Sequence, residues 1–383
     1  MSIVCLIAGV GAHAQQRPSP LDDPGFFPIA VWMQSPHNAA RFKAAGINTY
    51  VGLWDGPTSE QLAGLKKAGL FAVAGQSDFA LASPDNDVIV AWMHGDEPDN
   101  AQPRPLNLGY GQPVPPDEIV ADYERIKQRD PTRPVFVNFG QGVAWDGWYG
   151  RADRTNHPED YPLYMKGADI VSFDIYPAVH PHPDVAGKLE FVARGVERLG
   201  DWASPDQTVW NIIEASRIGN LDRKPTPHQI RAEVWMSLIH GSKGLVYFVH
   251  QFEPEFMEAS LLEDSDLLAA VTAINAQVQD LAPVLNSPTV DGMVTVSTEA
   301  DSAPVATMVK RYDGALYLFA VNMRDRPSEA TFTLRDSALL EAGATTIKVI
   351  GEDRSINPTA PTTEKMSFTE AFEPYGVRLY RIE

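Results

Sequence analysis

Residues 88–100 read VIVAWMHGDEPDN. Val88 to Met93 form an unbroken apolar run of strand length, with no polar residue at alternate positions. A strand buried on both faces reads this way, and such strands belong to parallel sheets covered by helices. The run then stops abruptly at Gly95-Asp96-Glu97-Pro98-Asp99. Carboxylates placed where a buried strand ends face whatever lies at that end of the sheet.

Seven similar runs flank this one: 27–34 (FPIAVWMQ), 47–54 (INTYVGLW), 70–76 (LFAVAGQ), 134–139 (PVFVNF), 169–176 (DIVSFDIY), 208–214 (TVWNIIE) and 244–250 (GLVYFVH). Helix-like stretches lie between most of them, at 36–45, 59–68, 117–129, 185–199 and 226–240, with a last one at 262–281. Gly69 and Pro131 act as stops, and Thr226 is an N-cap candidate. Eight strands alternating with helices predict a (β/α)8 TIM barrel over residues 27–285. A doubly wound nucleotide-binding sheet is disfavoured, because no Gly-rich G-x-G-x-x-G turn follows the first strand.

The pattern changes near Asn286. Short strand-like runs at 294–297, 305–312, 315–322, 330–334, 346–350 and 376–382 are separated by turn signals such as Asp313-Gly314 and Asn357-Pro358, with no amphipathic helix between them. Residues 286–383 therefore read as a C-terminal antiparallel β-sandwich.

The chain of 383 residues carries 50 acidic and 31 basic side chains, a net charge of -19. A polyanion would be repelled, so nucleic acid is excluded as a partner. A neutral oligo- or polysaccharide suffers no such penalty. Cys5 is the only cysteine, so disulfides cannot staple the fold. Residues 1–14 (MSIVCLIAGVGAHA) combine a short apolar run with a small-x-small ending, as in a signal peptide, and predict a secreted or periplasmic protein with a Pro-rich leader at 15–26. No later run is long enough for membrane insertion.

In a barrel, chemistry gathers at the C-terminal strand ends. Glu97 follows the fourth strand and Glu214 ends the seventh, across the mouth from it. Cleaving a glycosidic bond needs two carboxyl groups, one to protonate the leaving oxygen and one to attack the anomeric carbon or activate water. Asp96 beside Glu97 would raise the proton affinity of Glu97 by like-charge repulsion, which suits a general acid. Aromatic platforms for sugar rings are expected from Trp32, Trp54, Trp145 and Trp148, while the mid-strand Trp92 is expected in the core. Asn138, His94 and His250, all near strand ends, complete the candidate substrate-binding set. The histidines lack metal-ligand spacing, so no metal and no cofactor is expected.

A fourth strand ending in Glu97-Pro98 and a seventh ending in Glu214 resemble clan A of the retaining glycoside hydrolases. The resemblance implies Glu97 as acid/base, Glu214 as nucleophile and Tyr176 as a residue that steadies the nucleophile by a hydrogen bond. The chain departs from that clan's pattern at Asp96, where Asn is usual, at Trp54-Asp55, where many members carry Arg, and at His250-Gln251-Phe252, where many place a Trp. The expected activity is O-glycosyl hydrolysis of a β-linked glycan by double displacement, with β-glucan the preferred substrate. Two alternatives remain: a substrate-assisted hexosaminidase working through Asp96-Glu97, and a non-catalytic glycan-binding barrel.

Overall fold

The computed structural model describes residues 19–335, 346–359, 362 and 365–383. The signal-peptide reading of residues 1–14, the cysteine within it and the first part of the leader lie outside the described residues.

The parallel strands are β1 (Ile29–Trp32), β2 (Thr49–Val51), β3 (Phe71–Ala74), β4 (Ile89–Met93), β5 (Val135–Phe139), β6 (Ile170–Phe173), β7 (Thr208–Val209 and Asn211–Glu214) and β8 (Leu245–Phe248). Hydrogen-bonded neighbours run in sequence order, and β1 pairs with β8 (Ala30 opposite Val246). The ring closes at β7, which is interrupted at Trp210. Its first half pairs with β6 and its second with β8. Trp210 N still donates to Val171 O at 2.9 Å. Counting both halves as one strand gives eight, a TIM barrel as the sequence predicts.

Alternate side chains explain why these runs are apolar throughout. Ala30, Val51, Val73, Ala91, Phe136, Ile170, Trp210, Ile212 and Val246 fill the barrel interior. Their neighbours Ile29, Val31, Tyr50, Ala72, Trp92, Ile213 and Tyr247 point outward into the helical layer. That layer comprises α1 (Ala39–Ala44), α2 (Ser59–Ala68), α3 (Asp78–Ala82), α4 (Pro116–Arg129), α5 (Tyr161–Tyr164), α6 (Glu190–Trp202), α7 (Pro227–Ile239), α8 (Ser260–Glu263), α9 (Ser265–Asp280) and α10 (Ala282–Asn286).

The short helices α3 and α5 lie where the sequence reading placed none, and two of the expected helices differ in extent. The stretch expected to be helical from 185 begins only at Glu190, because Gly187 adopts φ +76° and its N–H donates to Pro177 O at 2.8 Å. The last long helix is broken at Asp264, whose carboxylate caps α9 through Leu267 N at 3.2 Å.

The C-terminal strands are β9 (Val294–Thr298), β10 (Val305–Tyr312), β11 (Ala315–Asn322), β12 (Ser328–Leu334), β13 (Ile347–Val349), β14 (Ser355–Ile356), β15 (Met366–Phe372) and β16 (Val377–Ile382). They form a three-stranded sheet, β9-β12-β15, and a five-stranded sheet, β10-β11-β16-β13-β14, all antiparallel. Leu318, Phe332, Phe368 and Tyr380 fill the space between them. The sandwich is as expected, with β14 and β15 added. β15 carries the apolar alternation Met366, Phe368, Phe372.

The outer face of the five-stranded sheet packs on the barrel. Phe319, Val321 and Leu379 share a core with α7 and α9, and the Trp235 and Phe319 rings lie 5.2 Å apart. Among the described residues, no helix is long and apolar enough to cross a membrane.

Candidate active site

The turn that follows β4 is built to present a carboxyl group. Glu97 sits at φ +42°, a backbone state that a long side chain adopts only when its surroundings hold it. Its N–H donates to Asn138 O on β5 at 3.1 Å, and its carbonyl accepts from Asn100 N at 3.0 Å and Gln102 Nε2 at 3.1 Å. Asn138 is buried in the middle of β5's inner row and donates from Nδ2 to Asp96 Oδ1 at 3.0 Å. Its Oδ1 has no partner.

Across from this turn, β6 runs into Asp174 and Tyr176. Asp174 N donates to Phe139 O at 3.1 Å, which fixes it at the mouth beside Glu97. Glu97 and the Tyr176 hydroxyl both lie close enough to act on the Asp174 carboxyl. Asp174 Oδ1 and the Tyr176 hydroxyl are nonetheless buried without an aligned hydrogen-bond partner. Unpaired buried polar atoms are costly, and a group of them converging on one mouth fits a site that completes its hydrogen bonds with a ligand.

The electrostatics follow from crowding. Burial first, then the charges of Asp174 and Asp96, hold the Glu97 proton well above the ordinary glutamate range. Asp174 is pushed up to about 6, mainly by burial, while Glu97 and Tyr176 pull it back. Asp96 is raised mainly by the surrounding protein and then by Asp174. Water still reaches Asp96 at the open rim, which moderates the burial effect. This crowding favours a proton on Glu97 at neutral pH, beside an Asp174 that ionises more readily.

Glu214 stands apart. It is 0% exposed, and its two oxygens accept from Ala178 N at 2.6 Å and Val179 N at 3.0 Å. The carboxylate thus fastens the loop after β6 rather than opening into the mouth. Tyr176 lies beside Asp174 and packs on Phe248 at 5.2 Å, so its expected hydrogen bond to Glu214 is absent.

The remaining candidates divide. Trp32 is buried among the interior residues of the barrel. His94 turns outward, with Nε2 2.7 Å from Gly167 O. Trp145 is buried as a backing layer, its ring 4.8 Å from His182 and 5.6 Å from His180. Trp148 donates from Nε1 to Asn100 Oδ1 at 2.8 Å and stands 4.8 Å from the exposed Tyr149 ring. Trp148, Tyr149, Tyr176, His180 and Leu221 line a cleft of about 680 Å³ formed by the loops after β5, β6 and β7. On the other side of the mouth, Trp54 is 45% exposed and meets His250 edge-on at 5.9 Å. His250 contacts Gln34 and Met33 O at 3.1 Å through Nε2, and its Nδ1 is unpartnered. Trp92 is buried as expected and donates to Asp130 at 3.0 Å.

Asp174 was missed in the sequence because it lies inside an apparent strand, SFDIY. The signal available was a lone acid among apolar residues at a strand end. A second cavity of about 630 Å³ lies at the opposite end of the barrel, beside Pro28, Thr208 and Lys243. That N-terminal face serves packing in such barrels.

No family model matches the chain, and no curated protein does. Solved structures do resemble it. A catalytic mutant of Gan42B, a GH42 β-galactosidase from G. stearothermophilus, aligns over 93% of this chain and 98% of its own, with TM-score 0.55 and 8% identity. An α-amylase from Geobacillus thermoleovorans, complexed with acarbose, aligns over 96% and 99%, with TM-score 0.54 and 10% identity. α-Galactosidase I from Mortierella vinacea aligns over 94% and 97%, with TM-score 0.51 and 11% identity. At such identities the likeness is one of fold, and it extends over nearly the whole of each chain.

Proposed function

We propose that the chain is an O-glycosyl hydrolase whose chemistry is carried by carboxyl groups at the ends of β4 and β6. The observation that carries this reading is the convergence of Asp96, Glu97 and Asp174, with the Tyr176 hydroxyl, at the C-terminal mouth of the barrel. The names of the structural neighbours, a β-galactosidase, an α-amylase and an α-galactosidase, agree with a carbohydrate substrate.

A glycosidic oxygen leaves poorly unless it is protonated, and Glu97 keeps a proton for it. The nucleophile expected from the sequence, Glu214, has both oxygens engaged and no exposure. This favours substrate assistance over double displacement through Glu214. The oxygen of a 2-acetamido group attacks the anomeric carbon, and the C1–O bond breaks. Its electron pair goes to the leaving oxygen, which takes the Glu97 proton. Asp96, steadied by Asn138, accepts a hydrogen bond from the acetamido N–H, and the Tyr176 hydroxyl donates to the acetamido oxygen. Water then attacks the anomeric carbon of the cyclic intermediate, and Glu97 takes the water's proton. The configuration is retained. The substrate on this reading is an N-acetylhexosaminide rather than a β-glucan.

The test compares aryl N-acetyl-β-hexosaminides with aryl β-glucosides and β-galactosides. Hydrolysis of the acetamido substrates alone is expected, with Glu97→Gln lowering kcat on the order of 10²–10⁴-fold and Asp96→Asn also impaired. Hydrolysis of β-glucosides that vanishes in Glu214→Gln would restore double displacement. Sugar binding without turnover of any substrate would leave a glycan-binding barrel.

A further inference from the structure

Helix α7 reads PHQIRAEVWMSLI and is buried from Ala232 to Ile239 without interruption. A glutamate, Glu233, lies inside that buried run at 1% exposure. Its carboxyl group lies beside that of Glu214 on β7, close enough for the two to act on each other. The Glu233 oxygens have no other hydrogen-bond partner, so the Glu214 carboxyl is the group left to satisfy them.

Two carboxylates buried side by side cannot both ionise, so one proton is shared between them. The titratable and charged groups on surrounding elements include Asp174, Tyr176 and His180 on and after β6, Glu190, Arg194, Glu197, Arg198 and Asp201 on α6, Tyr247 on β8, Arg231 and His240 at α7, and Lys310, Tyr317 and Arg378 on the sandwich strands. None of these acts on either glutamate. With no cation to offset a second charge, the proton is the only thing that keeps the pair compatible with burial.

Glu214, in turn, holds the loop. Its oxygens take the amides of Ala178 and Val179, while Asn220 Nδ2 donates to Val179 O at 2.7 Å and His180 Nε2 meets Gln141 Oε1 at 2.8 Å. This loop carries Tyr176 and His180 into the cleft wall. We propose that Glu233 is a positioning residue, whose shared proton with Glu214 forms a clamp that holds residues 176–180 in place and releases them when the proton is lost. Burial lifts both carboxyls above the ordinary glutamate value of 4.5. The sign follows from linkage. A carboxyl whose folded-state pKa is raised contributes no penalty at low pH, and the penalty grows as pH climbs toward the folded value. The clamp therefore weakens with rising pH.

The kinetic consequence rests on the glycosidase reading, whereas the clamp itself can be measured without it. Thermal melts of the full chain from about pH 5 to about pH 9 compare the wild type with Glu233→Gln, whose amide donates to Glu214 without titrating. The wild-type midpoint is expected to fall relative to the variant by about 3 °C toward the alkaline end. Parallel curves would overturn the clamp. On a turned-over glycoside, Glu233→Gln should match wild-type kcat near neutrality and extend the alkaline limb, while Glu233→Leu should lose about tenfold in kcat. Equal activity and identical pH profiles for the Gln and Leu variants would remove the positioning role. Diverging melts with no sugar release by any variant would keep the clamp and remove the glycosidase reading.

Discussion

Glu97 owes its proton to where the chain puts its neighbours. Asp96 is adjacent in sequence, but Asp174 arrives from β6, and its charge is a larger influence on Glu97 than that of Asp96. A prediction follows at this scale. In Asp174→Asn the repelling charge is gone and Glu97 gives up its proton at lower pH. If Glu97 acts as the proposed general acid it must be protonated, and the alkaline limb of the kcat/KM profile should shift to lower pH. An unmoved limb would mean that Asp174 does not govern the Glu97 proton. The strained turn at Glu97 belongs to the same scale: φ +42° is tolerated because three backbone and side-chain hydrogen bonds pin the residue.

Elements in this fold end where a side chain or a glycine makes them end. Helix α7 starts at a capping box in which Gln229 N donates to Thr226 Oγ1 at 3.2 Å and Thr226 N donates to Gln229 Oε1 at 2.9 Å. Thr226→Ala removes one acceptor and should cost about 1 kcal/mol, read as a drop of about 2 °C in a thermal melt. No change would mean that burial of α7 alone fixes its start. The Thr226 cap was legible in the sequence. The start of α6 was not. The stretch from Val185 to Leu189 has helical apolar spacing, and only the hydrogen bond from Gly187 N to Pro177 O shows why the chain turns there instead.

At the scale of the molecule, barrel and sandwich share one core. β11 is buried on both faces, with Leu318 toward the sandwich interior and Phe319 against Trp235 of α7. The sandwich also reaches the loop network, since Tyr375 donates to Gly187 O at 2.6 Å and His228 Nε2 lies 2.7 Å from Pro374 O. Such continuity predicts one cooperative unfolding transition for both domains. Phe319→Ala should cost about 3–5 kcal/mol and either lower the single calorimetric transition by roughly 5–10 °C or split it in two. A variant that melts like the wild type would show that the interface contributes little.

The sequence by itself determined the eight-strand barrel, the sandwich and a carboxyl-bearing turn at the end of β4. These rest on periodicity and on strand-end position, which are local and survive without knowledge of contacts. Only the tertiary structure decided what surrounds the second glutamate. Glu97 and Glu214 look alike along the chain, each closing an apolar strand. Yet one faces the mouth, and the other is covered by Ala178 and Val179 from a loop 35 or more residues away in sequence. His94 likewise sits at a strand end but turns outward. Whether a strand-end residue points at solvent, at a loop or at a helix depends on which distant segment folds over it, and pairing between distant segments leaves no trace in local pattern.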